Sequence, residues 1–462
     1  MTAGLTLVFL DQTAVSVALP SIAKDTGATQ TELAWVVNAF LLPLAALAAV
    51  AARLGDLYGR PRVLAAGIGL FAAGSLACGL APSEDALIAA RVVQGVGAAA
   101  MMPLTTAIVA DTFGPAERGR ALGIYIGVAS AFLSVGPLVG GLLSDLASWR
   151  WIFFVNLPVA AFAIAIIRRY VPAGPRAPQP EGFDVIGSVL LAGGVGSIAL
   201  GLLEGHAWGW ASAAVPAVLG AGVVLLSAFA AVESRRRQPL IPLSLLADRV
   251  FLGAVLAVLC TRFVTVGALV LSAIYLQQEL GLRPLTAGLA LLPATVPMLL
   301  VAPAGGWATD RFGPRGGTTI GIALAGASVL ALALLAPDGR YAELWPAFVV
   351  FGAGIGLVTV TTSTAGMDVA GASERGEAAG ILTTTRQIGA TFGLAAMSAV
   401  FVAVETAHAG RPMVGDGLRV ALLLGAGVCA ATGVATFVLL RGPGPASRLR
   451  ARAADPRPPP PA

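Results

Sequence analysis

The stretch Asp56-Leu57-Tyr58-Gly59 returns 254 positions later as Asp310-Arg311-Phe312-Gly313, and both copies sit in short polar breaks between long apolar runs. Two further pairs lie on nearly the same offset. Glu117-Arg118-Gly119-x-Ala121-x-Gly123 reappears as Glu374-Arg375-Gly376-x-Ala378-x-Gly380, and Val92-Val93-x-Gly95-x-Gly97 as Val349-Val350-x-Gly352-x-Gly354, each 257 positions on. Collinear matches at one spacing imply duplicated halves, an organisation that lets one half of a membrane protein rock against the other around a shared centre.

Hydrophobic residues make up 57% of the 462 and charged ones only 11%, against about 25% charged in ordinary soluble domains. A bilayer core takes about 20 apolar residues per spanning helix. Runs of that kind occupy 4–22, 35–52, 63–81, 87–110, 121–143, 152–170, 185–204, 212–232, 251–276, 285–307, 317–336, 344–366, 377–404 and 418–440. Each is continuously apolar instead of alternating, which predicts helices and not a barrel. The expected fold class is an all-α polytopic membrane protein of fourteen spans.

Charge placement orients this map. Twenty of the 29 basic residues fall in the breaks on one side and the C-terminal tail, six fall on the other side, and Arg91, Arg262 and Arg386 lie inside spans. The excess marks the cytoplasmic side, so both termini are expected in the cytoplasm and the chain in the cytoplasmic membrane. The net charge of +5 is spread over separate loops, so it reports topology and gives no footprint for nucleic acid. The seven Trp residues fall at or beside span ends and read as interfacial anchors. Cys78, Cys260 and Cys429 lie within spans without metal-ligand spacing and read as packing residues. The first run lacks a basic leader and contains Asp11, so it reads as a retained helix.

If each copy supplies six helices, residues 1–170 form one bundle and 251–441 the other, and 171–250 is a linker carrying two inserted transmembrane helices. Pro172 to Pro180 and Arg235-Arg236-Arg237-Gln238-Pro239 flank that insertion, and 442–462, dense in Pro and Arg, reads as a disordered cytoplasmic tail.

Several stretches in order resemble the major facilitator superfamily, specifically its fourteen-span drug:proton antiporter branch. Leu10-Asp11-Gln12-Thr13-Ala14-Val15 with Ala18-Leu19-Pro20 resembles the first-helix signature, and Leu54-Gly55-Asp56-Leu57-Tyr58-Gly59-Arg60-Pro61-Arg62 the superfamily loop motif. Arg91-Val92-Val93-Gln94-Gly95 is similar to the fourth-helix motif, and Gly136-Pro137-Leu138-Val139-Gly140-Gly141 to the antiporter motif. Trp149-Arg150-Trp151-Ile152-Phe153 with Asn156-Leu157-Pro158 resembles the start of helix six. Ala52, Leu57 and Phe132 depart from those patterns. The resemblance implies two six-helix bundles plus two inserted helices.

Asp11 is the most consequential side chain, because a carboxylate inside an apolar span is costly and marks a pathway or relay. Burial favours its neutral form and an approaching cation its ionised form, so a conformational change can load or release a proton. The bland alternative is a hydrated interfacial residue, or one satisfied by the hydroxyls of Thr13 or Ser16. Arg91 is the expected modulating cation. Its counterpart in the second copy is Phe348, and that of Gln94 is Phe351, so the second copy keeps the glycines and loses both polar groups; against this stands an Arg snorkelling to the interface. Gln94 is also a candidate to line a cavity, as are Arg262 and Arg386, the latter opposite Ala129 in the first copy; either arginine could instead meet an anionic group or snorkel.

Asp56, Gly59 and Arg60 form a polar turn that the resemblance casts as a latch contacting the opposite bundle, with Asp310 and Arg315 as a weaker equivalent. Gly136 and Pro137 interrupt a span and Gly140 and Gly141 permit close helix approach; the antiporter reading of that segment comes from the resemblance. His206 and His408 read as solvated loop residues.

The sequence has no nucleotide-binding loop, metal-ligand cluster or nucleophile triad, so no cofactor and no enzymatic reaction is expected. The expected partners are a small amphipathic molecule, protons and the lipid bilayer, with a functional monomer. The function implied is proton-coupled antiport. Its rivals are a metabolite symporter on the same fold and a non-transporting membrane sensor.

Overall fold

A computed structural model of the chain describes residues 2–112, 132, 135–171, 185–236, 243–337, 340–369, 375–407 and 414–440. Helices α1 (Thr2–Thr26), α2 (Gln30–Tyr58), α3 (Arg60–Leu80) and α4 (Glu84–Thr112) are followed by α5 (Val135–Leu146), the short α6 (Trp151–Phe154) and α7 (Asn156–Tyr170). Next come α8 (Val185–Trp208), α9 (Ala214–Glu233) and the single turn α10 (Leu243–Leu246). The last six are α11 (Arg249–Gln278), α12 (Pro284–Leu300), α13 (Ala302–Leu335), α14 (Tyr341–Val369), α15 (Arg375–Ala407) and α16 (Val414–Leu439).

Local chemistry sets the ends. Thr29 and Glu32 form a reciprocal capping box at the start of α2, where each side chain satisfies the other's backbone N–H. Asp248 accepts from the N–H groups of Val250 and Phe251 and so opens α11. Between α2 and α3 the chain turns at one residue, Gly59, with φ 96° and ψ 119°. Pro61 follows in the first turn of α3, where its missing N–H costs nothing.

Twelve helices among the described residues are long and apolar enough to cross a membrane, against the fourteen expected. The chain is a multi-pass membrane protein. The other two expected spans fall on shorter apolar helices, α5 and α12. Residues 113–131, 133 and 134, which contain most of span 121–143, lie outside the described residues. Span 285–307 is divided at Val301, where Pro303 in the first turn of α13 cannot donate to the preceding turn.

That division also corrects the reading of the second polar break. Asp310 and Arg315 lie inside α13, which runs without interruption from Ala302, so the repeat of the Asp56 turn is helical where the first copy bends at Gly59.

Helices α1 to α4 and α7 pack among themselves, and so do α11 to α16. The two groups meet along α2 with α15 and along α1 with α11 and α12, and α8 lies against both α2 and α15 with α9 outside it. Trp35 of α2 donates from Nε1 to Glu204 of α8 at 2.8 Å.

At the side where α1 ends and α2 begins, hereafter the far side, polar contacts tie the groups together. Gln277 Nε2 donates to the Val17 carbonyl at 2.7 Å, Gln30 Nε2 to Gln278 Oε1 at 3.3 Å, and Arg283 pairs with Asp145 at 2.9 Å. The Trp residues divide: Trp151, Trp208, Trp210 and Trp345 are exposed as interfacial anchors should be, whereas Trp149 is buried and donates to Asp25 at 3.1 Å. Arg150 lies over the Trp149 ring and pairs with the same carboxylate, which draws that indole inward.

Candidate functional site

Asp11, midway along α1, is 1% exposed, and Arg91 and Gln94 on α4 are 0% exposed. Arg91 Nη1 donates to Asp11 Oδ2 at 2.5 Å and to Gln94 Oε1 at 2.6 Å, and its Nε donates to the Val36 carbonyl of α2 at 3.0 Å. The guanidinium also stacks 4.3 Å from the centroid of Phe40. Snorkelling is thereby excluded for Arg91, which turns into the bundle and not toward an interface.

Gln94 uses its full hydrogen-bonding capacity. Its Nε2 donates to Asp11 Oδ1 at 2.9 Å and Ser75 Oγ at 3.0 Å, while its Oε1 accepts from Arg91 and, at 3.8 Å, from Cys78 Sγ. Asn156, at the start of α7, donates from Nδ2 to Ser75 Oγ at 2.9 Å and to Asp11 Oδ1 at 3.5 Å. Side chains of α4 and α7 thus converge on one carboxylate of α1, with Ser75 of α3 bonded to two of them. An ion pair in a low-dielectric interior is tolerated only with such full satisfaction.

The alternative partners named from the sequence do not serve Asp11. Thr13 donates to the Phe9 carbonyl and Ser16 to the Gln12 carbonyl, each bonding back along its own helix. Ser75 and Asn156 went unnamed as site residues. The available signal was the one that flagged Asp11, a polar side chain within an apolar run.

The cluster borders a small central cavity of about 30 Å³ between the two groups of helices. Gln12, Thr13, Ser16 and Arg91 line it from one side and Arg262, Thr265 and Thr295 from the other, with Phe40, Leu41 and Met298 supplying apolar wall. Of the three polar residues expected at a cavity, Arg262 lines it and Gln94 is withdrawn into the Asp11 cluster. Arg386 stands behind the wall on α15, donating to Ser363 Oγ at 3.0 Å. At the positions of Arg91 and Gln94 the second group has Phe348 and Phe351, both buried, so it contributes no equivalent cluster there.

The glycines of α5 are occupied by backbone. A Cβ on Gly140 would collide with the carbonyl of Ala14 on α1, one on Gly141 with that of Pro284 on α12, and one on Gly288 of α12 with that of Pro137. Gly136 faces the Thr13 side chain in the same way. A helix of the first group is therefore pressed onto both α1 and α12, closing the far side of the cavity.

The turn residues are placed less fully. Gly59 and Arg60 sit at the α2–α3 corner, while the side chains of Asp56 and Asp310 lie outside the described set. The Arg315 guanidinium stacks 3.8 Å from the Phe437 ring of α16. The side chain of His206, all of His408, the Glu117 copy of the repeat and residues 441–462 are likewise outside the described residues.

A family profile described as Major Facilitator Superfamily matches residues 1–394. The chain belongs to the major facilitator superfamily. It is a membrane transporter and not an enzyme. It is 34% identical over 397 residues to a tetracenomycin C resistance and export protein of Streptomyces glaucescens, covering 85% of this chain and 73% of that one. It is also 34% identical to a puromycin resistance protein of Streptomyces alboniger, covering 94% and 89%. Among solved structures, a bacterial homologue of the human lysosomal transporter Spinster aligns with a TM-score of 0.66 at 17% identity, covering 95% of each chain. This last likeness concerns the fold.

Proposed function

We propose that this transporter is a proton-coupled antiporter that exports amphipathic small molecules, drugs or antibiotics, across the cytoplasmic membrane by alternating access. The observation that carries the reading is the buried Asp11–Arg91 pair in the wall of a largely apolar central cavity. The relatives named for resistance to tetracenomycin C and puromycin support the cargo class.

In this reading the far side faces outward and both termini face the cytoplasm. The chain crosses fourteen times, α5 and α12 included, as two six-helix bundles, 1–170 and 251–441, with α8 and α9 inserted between them. A shift of α1 against α4 within the first bundle, accompanying the rocking, parts Asp11 from Arg91 and leaves a carboxylate without its cation, which then takes a proton from the outer side. Restoring the pair expels that proton toward the cytoplasm. Asp56, Gly59 and Arg60 act as the cytoplasmic latch that holds one of the two states, with Asp310 and Arg315 as a weaker partner.

Dye efflux from cells expressing wild type and Asp11→Asn, with and without a proton uncoupler, tests this. Wild-type efflux should stop with uncoupler, and the variant should show none above background. Uncoupler-insensitive efflux overturns the coupling; proton-driven uptake in place of efflux would establish the symporter.

A further inference from the structure

We infer that the central cavity selects molecules bearing an acidic group, which Arg262 receives with Arg386 behind it. This deepens the export reading and rests on it for the identity of the cavity as the cargo site.

The cavity wall carries surplus hydrogen-bond donors. Arg262 lines it with its Nε buried and without an acceptor, and Gln12 Nε2, on the opposite wall, is also buried without an acceptor. Arg386 lies one turn from Gly389, where α15 packs so closely on α11 that an added Cβ would meet the Leu259 carbonyl and lie 3.2 Å from the Arg262 Cβ. Among the described residues the acceptor the Arg386 guanidinium meets is the neutral hydroxyl of Ser363. Among the described residues neither arginine pairs with a carboxylate.

Asp11 cannot supply the balance. Asp11 already accepts from Arg91, Gln94 and Asn156. The remaining polar lining, Thr13, Ser16, Thr265 and Thr295, is uncharged. Two like charges thus stand together at bilayer depth, where an uncompensated cation is expensive. An acidic group on the cargo offsets both at once, and the planar guanidinium fork of Arg262 matches a carboxylate. A cationic cargo would add a third positive charge to the same wall.

One fluorophore with three head groups isolates the effect: pyrenebutyric acid, its methyl ester and pyrenebutyltrimethylammonium. Binding to the purified full chain in nanodiscs is read by energy transfer from tryptophan. The acid should bind about tenfold or more tighter than the ester, with the ammonium weakest. Arg262→Gln and Arg386→Gln should each shrink the acid-to-ester ratio, and Arg262→Lys should keep part of it. Equal binding of acid and ester, no binding of the acid, or a ratio unmoved by both glutamine variants overturns the inference. An intact acid preference without proton-driven efflux from proteoliposomes would instead remove the export reading and leave the anion site standing.

Discussion

Gly141 of α5 and Pro284 of α12 are in backbone contact, with no room for a Cβ between them. Backbone cannot yield as a side-chain tip can, so Gly141→Ala or Gly288→Ala must part the two helices. Overpacking of this kind costs about 1–3 kcal/mol, charged against the closed far side alone. Maleimide labelling of Gln30→Cys, which lies at that side, should therefore speed up several-fold in either alanine variant. Unchanged labelling in both would show that the glycines do not hold this state.

Arg283 and Asp145 span the same closure, yet Arg283 is 72% exposed. Exposed pairs contribute about 0–1 kcal/mol. Arg283→Ala should leave both the labelling rate and thermal unfolding close to wild type, which separates sealing by backbone contact from sealing by charge.

Breaking the buried pair is a different matter. Asp11→Asn or Arg91→Gln alone strands one polar partner in the interior, at a cost of about 3–5 kcal/mol where a buried charge is left unpaired. The double variant should regain part of that loss in thermal unfolding, while efflux stays at background in all three. A double variant less stable than either single one would show that Gln94 and Asn156, not the charge balance, dominate the site.

Asn156 offers a finer probe, since it touches Asp11 Oδ1 from α7 without sharing its helix. Asn156→Ala removes a hydrogen bond to Ser75 worth about 1 kcal/mol and a long one to the Asp11 carboxylate, and should cost less stability than breaking the ion pair. Asn156→Asp places a second carboxylate beside Asp11, and like charges disfavour joint ionisation. Its transport profile should move to higher pH, with cargo affinity unchanged; an identical profile would place Asn156 outside the proton site.

The main architecture, an all-helical chain that crosses a membrane many times, was legible because it rests on composition: continuous apolar runs between short polar breaks. Asp11 and Arg91 stood out for the same reason, as charges where the bilayer penalises them. Ser75 and Asn156 did not, because small neutral polar residues are common in membrane helices and only three-dimensional convergence separates these two from the rest. The second polar break misled because charge density marks a turn only when the backbone also bends. Gly59 supplies that bend with a positive φ, whereas α13 carries Asp310 straight through. Trp149 escaped notice because its partner, Asp25, is 124 residues away.

Trp35 holds Glu204, and with it α8, on the α2 side. Toward α15 the same helix has apolar company: Leu190, Leu191 and Val195 share a cluster with Ile388 and Phe392 of α15, joined by Leu42 of α2 and Phe229 of α9, a contact without direction. One edge of α8 is riveted and the other greased. If the two groups shear past each other, the slip plane is this oily track, and lipid tails are kept out of the seam throughout the stroke. Trp35→Phe would move the slip plane to the other edge without altering a single residue of the cargo chamber.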